Sequence, residues 1–123
     1  MRFTKAHRLH GRGTFKAILD AGARTRGGPI NLAVARNDVG TPRLGISIGR
    51  PVGNAAKRNR IKRLLREAFR AERIHWPAID VVILVRPHAP LKLAAYRTML
   101  ANGVAQCLKR LPPLPDATSP SAG

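Results

Sequence analysis

"GNAAKRNRIKRLLREAFR", Gly53 to Arg70, is the stretch on which the fold turns. Ile61, Leu64, Leu65 and Ala68 stand at i, i+3, i+4 and i+7 with Phe69 beside them. A helix over these residues therefore carries an apolar stripe wide enough to dock on a sheet. Asn59, Lys62, Arg63, Arg66, Arg70 and Arg73 stand at i, i+3, i+4, i+7, i+11 and i+14 and are expected on the opposite face. An ordinary solvated face mixes signs, because like charges at i,i+4 destabilise a helix by roughly 0.2–0.5 kcal/mol each. Here Glu67 and Glu72 are the only acids against eight Lys and Arg between Lys57 and Arg73. Lys57, Arg58 and Arg60 also crowd the first turn, where the helix dipole already places positive charge. That turn has the wrong sign for stability alone. It has the right sign for phosphate, on which free N–H groups, the dipole and arginine forks converge. Arg predominates over Lys, which favours structured RNA or DNA, since the planar fork pairs bidentately and stacks on bases.

The whole chain carries the same message. Its 123 residues hold 23 Lys and Arg against six Asp and Glu, a formal net charge of +17. Such an excess repels itself in a compact state and is relieved by a polyanion. The length fits one domain, and 44% hydrophobic residues with only 4% aromatics imply a core of Leu, Ile, Val and Ala. One cysteine, Cys107, excludes an internal disulfide and a CxxC zinc site, and in the last helix it reads as core. "MRFTKAHRLHGR" lacks the apolar run of a signal peptide, and "VVILV" at Val81–Val85 is too short to span a bilayer. A cytoplasmic protein is the expectation.

Outward from the charged helix the chain alternates period and breaks. Residues 1–12 form a basic arm. Thr14 is placed to cap a short helix with Phe15, Ile18 and Leu19 on one face, stopped at Gly22. "ARTRGGP" reads as a flexible basic loop. "INLAVAR" and "RLGISIGR" alternate as strands, and the turn chemistry of "NDVGTP" between them predicts an antiparallel hairpin. One face of this pair, with Asn31, Ala33, Ala35, Gly45, Ser47 and Gly49, has little side-chain volume. Either a helix packs closely on it, or it is a shallow floor for an extended ligand. "AIDVVILVR" is continuously apolar, as a strand buried on both faces would be. A last helix falls within Leu91–Leu111, with Leu93, Tyr96, Leu100 and Val104 as its stripe. His75 and His88 flank the last strand and read as loop histidines. The domain is thus expected over 13–111, as an α+β sandwich of order α-β-β-α-β-α. The Pro-rich stretch 112–123 is expected to be disordered.

These residues also carry a resemblance. Ala55, Arg58-Asn59-Arg60, Ile61, Lys62-Arg63, Leu65, Arg66-Glu67 and Phe69-Arg70 closely resemble the RNR signature of the protein subunit of bacterial ribonuclease P. "RLGISIGRPVGNA", "RLHGRGTFKAILDAG" and "DVVILVR" resemble that family's strand and loop before the helix, its first helix and its last strand. The likeness spans about Arg8 to Leu108. It implies a fold like the second domain of ribosomal protein S5, with the basic helix in a left-handed β-α-β crossover, an exception to the usual hand. It also implies that the catalyst is an RNA, which uses Mg²⁺ to remove the 5′ leader from precursor tRNA. No cofactor, catalytic residue or metal site is then expected on the protein, and no protein partner is required.

By motif, Arg58, Asn59, Arg60, Lys62, Arg63 and Arg66 would contact the catalytic RNA, with Lys57 and Arg70 in the same run. The leader would lie in a cleft between the first helix and the sheet. Phe15 matches the cleft aromatic, and Ala33, Ala35 and Ser47 would form its floor. Leu19 stands where the family often has a second aromatic, and Ala33 where its first strand commonly has one. Backbone electrostatics through Arg12, Lys16 and Arg86 are therefore expected to outweigh stacking, which contributes ~1–3 kcal/mol per ring.

The rivals are few. A non-catalytic ribosomal or RNA-chaperone protein shares the composition but not the signature. A DNA-binding regulator would need consecutive helices and base-reading side chains. A self-sufficient nuclease would need clustered carboxylates or a His/acid pair, and the six acids are scattered at Asp20, Asp38, Glu67, Glu72, Asp80 and Asp116.

Overall fold

The computed structural model describes residues 12–25 and 28–111, with backbone alone at 12–15 and 21. The arm up to residue 11 and the tail over 112–123 lie outside the described residues. In chain order the elements are α1 (Arg12–Ala21), β1 (Ala23–Arg24), β2 (Ile30–Arg36), β3 (Arg43–Ile48), α2 (Ala55–Glu72), β4 (Ile79–Val85) and α3 (Leu93–Arg110). Single 3₁₀ turns, Arg50–Val52 and Arg73–His75, bracket α2. The mixed α+β class is as expected, with four strands among the described residues rather than three. β1 lies in the stretch expected to be a loop; two residues are too short to show a period.

The four strands run in the order β1-β2-β4-β3. β2 pairs antiparallel with β4, and β3 pairs parallel with β4. The expected β2–β3 hairpin does not form. The chain reverses through 37–42, but β4 inserts between the two strands. The reason lies in "IDVVILV": a strand apolar on both faces is stable only where both faces are covered, and that is the sheet centre.

Two layers cover the sheet. On one face Leu32, Val34, Leu44, Val81 and Ile83 pack with Ile61, Leu65, Ala68 and Phe69 of α2 and with Tyr96, Leu100, Val104 and Cys107 of α3. Burying a side chain such as Ile61 or Leu65 contributes about 1.5–3 kcal/mol, enough to offset the like-charge repulsion along α2. Phe69 also meets Trp76 at a ring-centroid distance of 5.7 Å. The α3 stripe begins at Tyr96: Leu93, expected in it, is the first helical residue and is 36% exposed. On the other face Ile18 of α1 clusters with Ala33 and Val82.

α1 starts at Arg12, so Thr14 lies within its first turn rather than at its cap. Its end at Gly22 is as expected, for a more demanding reason than a turn. A Cβ there would lie 2.5 Å from the Val34 carbonyl oxygen and 2.7 Å from that of Ile18. Both atoms are backbone and cannot rotate away. Gly22→Ala is expected to cost about 1–3 kcal/mol by this overpacking, read from the urea midpoint. An unchanged midpoint would mean that α1 lifts freely from β2.

Cys107 is core, as expected, and its Sγ donates to the Ala23 carbonyl at 3.5 Å. Burial pushes its thiol up from the ordinary value, against a smaller downward pull from Arg110. A raised folded-state pKa favours the protonated form. The stability it contributes is complete below the ordinary thiol range and is lost as pH rises through the folded value. Native protein is expected to resist iodoacetamide at pH 8 and to react once denatured; equal rates in the two states would place the thiol outside the core.

Candidate nucleic-acid interface

Asn54 starts α2: its side chain accepts the Lys57 N–H at 2.9 Å, a cap typically worth ~1 kcal/mol. From there, roughly 100° per residue sets the azimuth of each side chain. Lys62, Arg66, Arg73, Asn59, Arg70 and Arg63 fall within an arc of about 60–160° from the buried Leu65 line. The stripe of Ile61, Leu64, Leu65, Ala68 and Phe69 centres about 30° to the other side of that line, so these residues run from one flank of the helix round to the face opposite its core stripe. Arg73 shows where this flank points, for it donates to Thr41 Oγ1, in the loop entering β3, at 2.8 Å. Glu72 turns the other way and accepts from Arg97 of α3 at 2.8 Å. The basic flank thus lies on the β3 side, away from α3.

The signature splits across the helix. Asn59 and Arg63 are exposed, and Lys62, Arg66 and Arg70 are half-buried. Arg60 is exposed and Lys57 half-buried, but both lie on the other flank. Arg58 follows the azimuth of the core stripe and is half-buried, its Nε shielded without a hydrogen-bond partner among the described residues. The Glu67–Arg70 pair is long, at 3.9 Å, and half-exposed, a geometry that contributes little. Among the described residues no ion pair engages Lys62 or Arg63. The acids of α2 thus leave these two charges without an ion-pair partner among the described residues.

On the other side of the sheet, strand register sets Ala35, Asp80 and Arg43 in one row. Ala33, Val82 and Gly45 follow, then Asn31, Leu84 and Ser47. Ala33 is fully buried with Ile18, so there a helix does pack closely on the small-residue face. Ala35 is half-buried and Ser47 exposed, leaving the floor to them. Leu19 is half-buried against the same cluster. Lys16 is exposed and pairs with Asp20 at 3.0 Å; Arg86 is exposed just past β4. Arg12 and Phe15 stand in α1, their side chains outside the described residues.

One polar cluster escapes a reading of the sequence. Asp80, 5% exposed, accepts from Arg43 Nε at 2.8 Å, from Arg43 Nη2 at 2.9 Å and from Asn37 Nδ2 at 2.8 Å. These bonds to Asp80 hold the Arg43 guanidinium above its ordinary pKa, while burial pulls the other way. The stability so gained is lost only as pH rises through that raised value, so the pair persists across working pH. Among the described residues no group of three His, Cys, Asp or Glu side chains could hold a metal ion, and no helix is long and apolar enough to cross a membrane.

Comparison with known proteins decides what these surfaces belong to. The family described as Ribonuclease P matches residues 3–111. The chain belongs to the ribonuclease P protein family. It is 37% identical over 112 residues to the ribonuclease P protein component of Azoarcus sp. (strain BH72), covering 90% of this chain and 91% of that one. With that of Syntrophus aciditrophicus (strain SB) it shares 39% over 83 residues, 67% and 70% of the two chains. The RNase P protein of Staphylococcus aureus superposes with a TM-score of 0.70 at 29% identity, covering 86% of this chain and 95% of that one. The RNase P protein of Thermotoga maritima gives 0.68 at 28%, covering 77% and 92%. As a ribonuclease P protein, the chain serves the ribonucleoprotein endonuclease that matures tRNA 5′ ends, in partnership with its RNA subunit.

Proposed function

We propose a division of labour between the two faces. The β3-side flank of α2, with Asn59, Lys62, Arg63, Arg66 and Arg70, binds the catalytic RNA, and Lys57, Arg58 and Arg60 engage it around the start of the helix. The α1 face of the sheet holds the single-stranded 5′ leader of precursor tRNA, with Phe15, Leu19, Ala35 and Ser47 along the cleft and Arg12, Lys16 and Arg86 on its phosphates. Ala33 acts from beneath, seating α1. The protein positions RNA in the cytoplasm without another protein partner, and bond cleavage is left to the RNA and the Mg²⁺ that it uses. One observation carries this reading: on the basic side of α2, no ion pair among the described residues engages the charges of Lys62 and Arg63. Such a surface is completed by a phosphate backbone.

The test is reconstitution. The protein is mixed with a bacterial ribonuclease P RNA and a leader-bearing precursor, at Mg²⁺ too low for the RNA to cleave alone. Restored cleavage at the mature 5′ end, with none from protein alone, is the expected result. Binding of both RNAs without restored cleavage would instead make this chain an RNA scaffold of the ribosomal or chaperone kind.

A further inference from the structure

Past β4 the chain runs through "RPHAPLK", residues 86–92, to reach α3. Arg86, Pro87, His88, Ala89 and Leu91 there join Gly28 and Pro29, before β2, around a concave pocket of about 670 Å³. Among the described residues no acidic side chain lines it. Its volume lies in the range that takes a ligand of nucleotide size. Its place in the sheet gives it meaning. Val82 and Leu84 face α1, and the period of two carries Arg86 to the same face. The Arg86 N–H donates to the Pro29 carbonyl at 2.9 Å, closing the end of the sheet. Pro29 and Arg86 thus stand one row beyond Asn31, Leu84 and Ser47, and the pocket sits at that end of the sheet, with Arg86 as its member on the face of the proposed leader floor.

His88 is not the free loop residue that its position in the sequence suggests. Its Nδ1 lies 2.7 Å from the Arg86 carbonyl oxygen, and its Nε2 lies 2.7 Å from the Tyr96 hydroxyl. A carbonyl can only accept, so Nδ1 carries the proton, and in the neutral ring Nε2 accepts from the Tyr96 hydroxyl. The Tyr96 oxygen in turn accepts the Leu91 N–H at 3.1 Å, and Tyr96 is fully buried. Both nitrogens are thus spent on holding the ring still. What a half-buried imidazole with an occupied edge still offers is its face.

We propose that this pocket takes one unpaired nucleotide of the precursor's 5′ leader, its base stacked on His88 and its phosphate on Arg86. The inference rests on the leader reading above. Unpaired RNA bases stack on histidine as on other aromatic rings. The platform supplies, at the end of the floor, the stacking that Ala33 and Leu19 do not provide within it.

The test uses reconstituted holoenzyme and compares binding of leader-bearing precursor with mature tRNA at one fixed salt concentration. His88→Ala is expected to lower the preference for the precursor roughly ten-fold, the scale of one stacked base. His88→Phe should keep most of that preference and His88→Asn should not. A single abasic nucleotide, walked along the leader, should reproduce the loss at one position and add nothing further in His88→Ala. Equal losses for precursor and mature tRNA, equal losses in the Phe and Ala variants, or no abasic position that couples to His88 would each overturn the stacking site. If the unaltered protein shows no preference for the leader, the parent reading fails, and this one with it.

Discussion

The double substitution Lys62→Ala with Arg63→Ala is expected to weaken association with ribonuclease P RNA about a hundred-fold while leaving the fold at least as stable. Each removed contact is a charge-assisted bond to phosphate, worth about 1.5–3 kcal/mol net, so a loss of roughly 3 kcal/mol is conservative. The dependence of log affinity on log salt should fall by about one to two units, as two phosphates keep their counterions. Stability should move the other way. Alanine has the better helix propensity, and removing two cations relieves repulsion of a few tenths of a kcal/mol per pair. Lys57→Ala with Arg60→Ala, on the other flank, is the control and should reduce affinity less. An unchanged salt slope, or equal losses from the two flanks, would sink the assigned surface.

Asp80→Ala is expected to have the largest effect on stability. It strips the Arg43 guanidinium of both bonds and leaves a cation at the sheet floor. Breaking a buried pair on one side typically costs 3–5 kcal/mol. Arg43 keeps 28% of its side chain exposed, so solvent recovers part of this and about 3 kcal/mol is the better figure. For a domain of this size that lowers the thermal midpoint by on the order of 10 °C. The double variant Arg43→Leu with Asp80→Leu should regain most of the loss, because paired apolar replacements are often neutral. A midpoint within a degree or two of the parent for Asp80→Ala would show that the cluster is ornamental to the fold.

The contrast between α2 and Asp80 explains what the sequence discloses. The bounds, apolar stripe and charge of α2 lie within contiguous residues, so helical arithmetic reads them directly; only the direction of the flank needed the Arg73–Thr41 contact. Asp80 and Arg43 are separated by 37 residues, and nothing local marks them as partners. The strand order fails for the same reason: turn chemistry at 37–42 reports a reversal of direction, not which strand will fill the gap. β1 is too short for periodicity. His88 reads as a loop residue until the fold brings Tyr96 beneath it. Within the proposed cleft, alternation does reveal the small-residue face, but not that α1 covers Ala33 and leaves Ser47 open.

The central position of β4 also sets a timetable. Each β3 residue finds its β4 partner 37 positions later, and the β2–β4 pairs lie from 43 to 55 positions apart. During synthesis the basic helix therefore leaves the ribosome before the strand that completes its docking surface exists. Until Ile79–Val85 arrives, the strand pair available among the described residues is the short one between β1 and β2. Pairing at such separation carries a loop-closure cost before any contact rewards it, which slows the search for the native state. A nascent chain waiting in that condition exposes apolar stripes and unpaired strand edges, the hallmarks of an aggregation-prone intermediate. Its unrelieved positive charge then has a second use, since like-charged chains keep apart while their last strand is still being made.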